Sequence, residues 1–148
     1  MGARGEIENL LYLYQERMDA GDLPGVAELF AHARLGSDIY DVTWTGASEV
    51  EEMYRSFVRM YDGRPRTTHT TTNPIIEVDG EAGTATCRSV YVVYQQTDVL
   101  PLQPIITGRY RDRFERVDGS WRFAERIFGV DWTGDLSQHQ LTPDHLDH

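Results

Sequence analysis

The sequence predicts an α+β fold in which three N-terminal helices pack on a strongly curved, mostly antiparallel sheet. Three observations predict it. Apolar residues recur at helical spacing as far as Tyr61. From residue 67 the chain is rich in Thr, Val, Ile, Tyr and Phe, which favour strands. Two Val-Asp-Gly tripeptides, at 78–80 and 117–119, sit between strand-like runs where hairpin turns are expected. Helices first and a long meander after them is the order of an α+β domain. A sheet that curves over helices makes a cone, and the mouth of a cone is a natural small-molecule pocket.

Each element follows from local chemistry. Ile7, Leu10, Leu11, Tyr14 and Met18 lie on one helical face, and Ala20-Gly21 ends that helix. Asp22 is placed to cap a second helix, with Pro24 in its first turn and Leu23, Val26, Ala27 and Phe30 on its buried side. Residues 33–45 lose the helical period and end in IYDVTWTG, read as a strand. Ser48 and Glu51 match a capping box for a third helix carrying Val50, Met53, Tyr54, Phe57 and Tyr61, which Asp62-Gly63 stops. Strands follow at about 67–78, 81–97, 104–117 and 120–132. The two prolines of DVLPLQP (98–104) make that stretch a loop. Residues 1–134 thus form a single domain, and 135–148 a polar C-terminal tail expected to lack order at its end.

Composition narrows the function. With 148 residues one core suffices without staples. A formal net charge of -10 argues against nucleic acid or an anionic membrane as partner. The single cysteine, Cys87, excludes an internal disulfide and any multi-cysteine metal site. No apolar run follows a basic N-terminal segment, and no stretch has the roughly 18 apolar residues of a membrane helix. A cytoplasmic enzyme or binding protein is the expectation. Phosphate-loop, HExxH, EF-hand and GxSxG patterns are all missing.

Among five histidines, only His69, in TTHTTTN (67–73), falls in an expected sheet strand. It is either a strand-end residue satisfied by the backbone or a general base, since imidazole titrates near neutral pH. A base needs an orienting partner, and Asp19 is the candidate. Its carboxylate in the last turn of a helix opposes the helix dipole, although aspartate also serves turns. Tyr14, Tyr40, Tyr94 and Tyr110 are either core packing or hydroxyl donors to a developing oxyanion. Along 104–117, Arg109, Arg111 and Arg113 alternate with Tyr110, Asp112 and Phe114, so the arginines face solvent or a partner subunit.

Four segments together, MDAGDLPGVAELF (18–30), TWTGASEV (43–50), THTTTNPIIEVDGEAGTATC (68–87) and YRDRFERVDGSWRF (110–123), resemble the SnoaL-like branch of the nuclear-transport-factor-like, cystatin-like cone fold. The resemblance spans roughly residues 5–133. His69 looks like the histidine shared by scytalone dehydratase, hexachlorocyclohexane dehydrochlorinase and the bile-acid dehydratase, and Asp19 like the aspartate paired with it. Asn73 follows His69 at the dehydrochlorinase spacing, and Tyr14 resembles a tyrosine of the bile-acid enzyme. The resemblance implies a His–Asp dyad that starts an elimination. It also implies no cofactor or metal, a small hydrophobic, polyketide- or steroid-like substrate, and an assembly in which trimers are common; the arginine face of an acidic chain is expected to meet a partner subunit in a homodimer or homotrimer. Catalysis would rest on His69, Asp19 and Tyr14, with Tyr40, Tyr94, Tyr110 and Asn73 contacting substrate. The chain departs where those enzymes handle the leaving group: Tyr94 stands near a second histidine of scytalone dehydratase, and Tyr110 near its asparagine. Isomerisation, ring closure and simple ligand binding therefore stay open beside dehydration.

Overall fold

The computed structural model describes residues 1–141. Its elements are α1 (Ala3–Asp19), α2 (Leu23–Glu28), β1 (Arg34–Ser37), β2 (Thr43–Thr45), α3 (Gly46–Phe57), β3 (Thr67–Asp79), β4 (Thr84–Gln95), β5 (Gln103–Val117) and β6 (Ser120–Thr133). One six-stranded sheet has the order β2-β1-β6-β5-β4-β3. Every pairing is antiparallel except β1 with β6. The fold is α+β, three helices against a mixed, mostly antiparallel sheet. No helix among the described residues is long and apolar enough to cross a membrane.

α1 buries Ile7, Leu11, Tyr14 and Met18. Gly21 follows its C-terminus with a φ of +78°, a region that favours glycine. A Cβ there would lie 1.8 Å from the carbonyl oxygen of Gly63, so the end of α1 rests directly on the turn after α3. Asp22 caps α2 by accepting from the Gly25 N–H at 2.9 Å. Phe30 stacks on Phe123 across the core, with ring centroids 5.1 Å apart. That contact joins the α2 end to the sheet.

Of the strand expected over IYDVTWTG (39–46) only Thr43–Thr45 forms, as β2; residues 38–41 bend, and a second short strand, β1, precedes them. The Ser37 hydroxyl accepts from the N–H groups of Ile39 and Tyr40, which turns the chain before a strand can continue. α3 begins at Gly46 and ends at Phe57, so Tyr61 lies beyond it. The capping box is also displaced: Glu49 reaches back to the Thr45 N–H at 2.9 Å, while Glu51 pairs with Arg55. Asp118 and Gly119, both with positive φ, form the expected two-residue turn between β5 and β6.

Bulges bend the sheet. Between Thr72 and Ile75 the register of β3 against β4 shifts, and Asn73 takes a φ of +54°. Further register shifts interrupt β4–β5 and β5–β6. Residues 134–141 fold back over the mouth as a strap. Gly134 donates to the Ile105 carbonyl, Arg59 to that of His139, and Leu141 to that of Phe57. The end of the tail, with His145 and His148, lies outside the described residues.

Candidate active site

The site starts where α1 stops. Asp19, in the last turn, receives three hydrogen bonds from β3. Its Oδ2 accepts the backbone N–H of His69 at 2.8 Å. Its Oδ1 accepts the Thr67 hydroxyl at 2.9 Å and faces His69 Nδ1 at 2.6 Å. These donors offset the unfavourable position of a carboxylate at a helix C-terminus. With Nδ1–H given to Asp19, the lone pair of the ring sits on Nε2, which has no hydrogen-bond partner among the described residues. The His69 side chain is 9% exposed and lines a cavity of about 170 Å³. The structure thus brings Asp19 and His69 together, with His69 on the cavity wall.

The rest of the cavity wall is mainly apolar and aromatic. Met53, Tyr54, Phe57 and Val58 close it on the helical side. Tyr91 and Val93 of β4, and Ile106 and Tyr110 of β5, close it on the sheet side. Tyr40 lines the entrance and stacks on Phe57. Its hydroxyl is pushed up in pKa by burial.

Tyr14 is buried, and its hydroxyl hydrogen-bonds the hydroxyl of Tyr54. Burial, reinforced by Tyr14, holds the Tyr54 pKa well above its ordinary value. Burial does the same for Tyr110, whose hydroxyl has no hydrogen bond among the described residues. Both stay protonated and can donate. Tyr110 is fixed by its neighbours: Tyr91 stacks on it at 4.3 Å, and the Arg126 guanidinium lies 3.7 Å from its ring centroid. Gly108 makes room for this, because a Cβ there would come within 2.6 Å of the Tyr91 hydroxyl. That hydroxyl donates to the Gly129 carbonyl at 2.9 Å.

Two expected substrate contacts do not reach the cavity. Tyr94 lies between Val93 and Gln95, which both point inward, so strand alternation turns it to the opposite face. Asn73 is exposed at the β3 bulge, where its left-handed backbone serves the bend. Arg109, Arg111 and Arg113 face outward as expected, paired with Asp131, Asp38 and Glu125.

Sequence reasoning missed Arg126 and His139. Arg126 is completely buried and binds Asp112 through two bonds of 2.7 and 3.0 Å. Burial raises the Asp112 carboxyl pKa, and the pairing with Arg126 opposes that rise. The signal was available: Asp112 on an inward strand face demands a cationic partner, and Arg126 is its cross-strand neighbour. His139 and Gln140 arrive from the strap and also line the cavity. No local pattern announces a contact of that kind. Among the described residues, no group of three or more His, Cys, Asp or Glu side chains is placed to hold a metal ion.

The SnoaL-like domain family matches residues 1–127. The chain belongs to this family. Proteins of known structure share its fold. A Mycobacterium tuberculosis protein of unknown function, Rv3472, is 28% identical over 86% of this chain and 71% of its own, with a TM-score of 0.71. A Novosphingobium aromaticivorans protein provisionally called a scytalone dehydratase is 24% identical over 89% of this chain and 86% of its own, with a TM-score of 0.70. ActVI-ORFA of Streptomyces coelicolor is 14% identical over 88% and 98%, with a TM-score of 0.71. A further neighbour from Novosphingobium aromaticivorans is described as NTF2-like with a cystatin-like fold, which is the architecture of this SnoaL-like chain. No curated protein matches it.

Proposed function

We propose that this protein is a cofactor-independent lyase that dehydrates a small hydrophobic substrate through the His69–Asp19 dyad. One observation carries the reading: a histidine whose Nδ1 is held 2.6 Å from a carboxylate and whose Nε2 is left unpaired at an apolar cavity. That is the arrangement of a general base and its orienter. Nε2 takes a proton from the carbon next to a carbonyl. The Tyr110 hydroxyl, and Tyr54 backed by Tyr14, donate to the carbonyl oxygen as it gains charge. The neighbouring hydroxyl then departs with the proton returned by His69, leaving as water, and a double bond forms.

The cavity limits the substrate. About 170 Å³ is close to the roughly 150 Å³ apolar cavity that accommodates benzene. A single ring fits that space, and a larger polyketide- or steroid-like molecule would extend through its open side. Isomerisation and ring closure begin with the same proton transfer and stay as alternatives. The proposal includes a homodimer or homotrimer, on the family resemblance and the arginine face of the sheet.

The test follows the shared first step. Small cyclic β-hydroxyketones are incubated in D₂O with the wild-type protein and with His69→Ala. Deuterium entry at the α-carbon, with formation of the enone, is expected for the wild type and not for the variant. Equal exchange in both proteins would overturn the base assignment. Exchange without enone would move the assignment to isomerase or cyclase. Ligand retention with no exchange in any protein would favour a binding protein.

A further inference from the structure

The cavity contains a second histidine from an unexpected source. His139 belongs to the strap, and the strap is anchored without its ring. The His139 carbonyl accepts from Arg59 N–H at 2.8 Å. Gln138 receives the Tyr61 hydroxyl at 2.6 Å on its backbone carbonyl and the Gln95 amide at 3.1 Å on the same group. Val58 and Gln140 form a bridge beside it. The imidazole makes no hydrogen bond among the described residues, and its Nδ1 is sealed from solvent. Burying an unpaired polar nitrogen is unfavourable, and an apolar side chain would close the strap better. The same lack of accessible surface shuts Nδ1 off from the cavity, whereas Nε2 is not sealed and has no partner among the described residues, so Nε2 is the nitrogen that a ligand in the cavity completes.

We propose that His139 is a substrate-binding residue, whose ring hydrogen-bonds a hydroxyl or carbonyl oxygen of the molecule held over His69. This rests on the reading of the cavity as a ligand site. Burial, together with His69 nearby, pushes the His139 pKa down to about 4. Near neutral pH its ring therefore keeps one N–H donor and one acceptor nitrogen. The two histidines divide the work. His69 is tied to a carboxylate through Nδ1 and is set up as the base. His139 has no carboxylate, stays neutral, and recognises an oxygen. The ligand class is thus a small ring bearing a hydroxyl or carbonyl, oriented with that oxygen toward the strap.

The test needs no turnover, so its outcome is separate from that of the deuterium experiment. Phenol and toluene are matched in shape and differ in one hydroxyl. Their affinities are measured by calorimetry for the wild type, His139→Leu and His139→Gln. The glutamine places an amide near where Nε2 was. The phenol-to-toluene affinity ratio is expected to fall roughly three- to tenfold in His139→Leu, the effect of one hydrogen bond. It should recover in part in His139→Gln. Toluene affinity should hardly change. Phenol should also shift the ¹⁵N resonances of the His139 ring, and toluene should not. An unchanged ratio in His139→Leu overturns the proposal. So does equal loss of both ligands, which would make the strap a closure only. Absence of binding to the wild type overturns it together with the reading of the cavity.

Discussion

Replacing Asp19 with Asn keeps the side-chain shape and removes one acceptor. Three donors converge on Asp19, two at Oδ1 and one at Oδ2. An amide offers its oxygen to only one of these positions. With its NH₂ in the place of Oδ2, it confronts the backbone N–H of His69, which cannot turn away. A buried donor left unpaired costs about 1–3 kcal/mol. With its NH₂ in the place of Oδ1, the Thr67 hydroxyl can rotate to accept, and the imidazole accepts by moving its proton to Nε2. The second arrangement costs less, so Asp19→Asn should invert the His69 tautomer. Three charge-assisted bonds become neutral ones at about 1 kcal/mol each. Partial exposure of Asp19 reduces the sum to about 1–2 kcal/mol, a fall in Tm of roughly 2–8 °C. Base catalysis should fall far more, on the order of 10⁴-fold, as a wrong tautomer does in a serine-protease triad. Long-range ¹H–¹⁵N spectra of His69 read the tautomer, and thermal unfolding reads the stability. A variant with the wild-type tautomer and α-proton exchange within tenfold of wild type would refute this reasoning.

The buried pair supports a second prediction. Asp112→Leu leaves the Arg126 charge uncompensated and should cost about 3–5 kcal/mol in urea unfolding, and adding Arg126→Met should recover much of it. Recovery of nothing would mean that the Tyr110 and Tyr14 contacts of Arg126 outweigh its ion pair. His139 predicts a pH dependence. Its folded pKa, about 4, lies below the ordinary 6.5, so the unfolded chain binds the extra proton first. Stability from this group is full above about pH 6.5 and is lost as pH falls toward 4, by up to about 3 kcal/mol. His139→Leu should flatten that part of the profile of stability against pH, and an unchanged slope would remove the assignment. Sedimentation of the purified protein should give a dimer or trimer, and a monomer at every concentration would exclude both.

Much of the fold was legible because local patterns and tertiary structure agree. The helical faces of α1 and α3, the Asp118-Gly119 turn and the outward arginines all follow from spacing alone. The residues alone left His69 and Asp19 open between structural and catalytic roles, and the family resemblance is what joined them as a dyad. The errors have physical causes. Likeness to relatives puts Tyr94 in the site, but two-residue periodicity puts it behind the sheet. Asn73 shares the odd numbering of His69 and Thr71, and a bulge interrupts that alternation at Asn73 itself. Ser37 breaks an expected strand through two hydrogen bonds that hydropathy does not register. Arg126 and His139 are long-range features: one needs the β5–β6 register, and the other needs the strap to fold back.

The bulge at Asn73 has a practical consequence for protein engineering. It works as an expansion joint. On the near side, Thr67 to Thr72 pair in unbroken register with β4 and hold His69 against Asp19. On the far side, Ile75 to Asp79 run to the Gly80–Gly83 turn in a separate register. A change of length at that turn is absorbed by the far segment and does not travel to the base. The 80–83 turn is therefore the place to graft a reporter peptide or an affinity tag when the cavity must keep its shape.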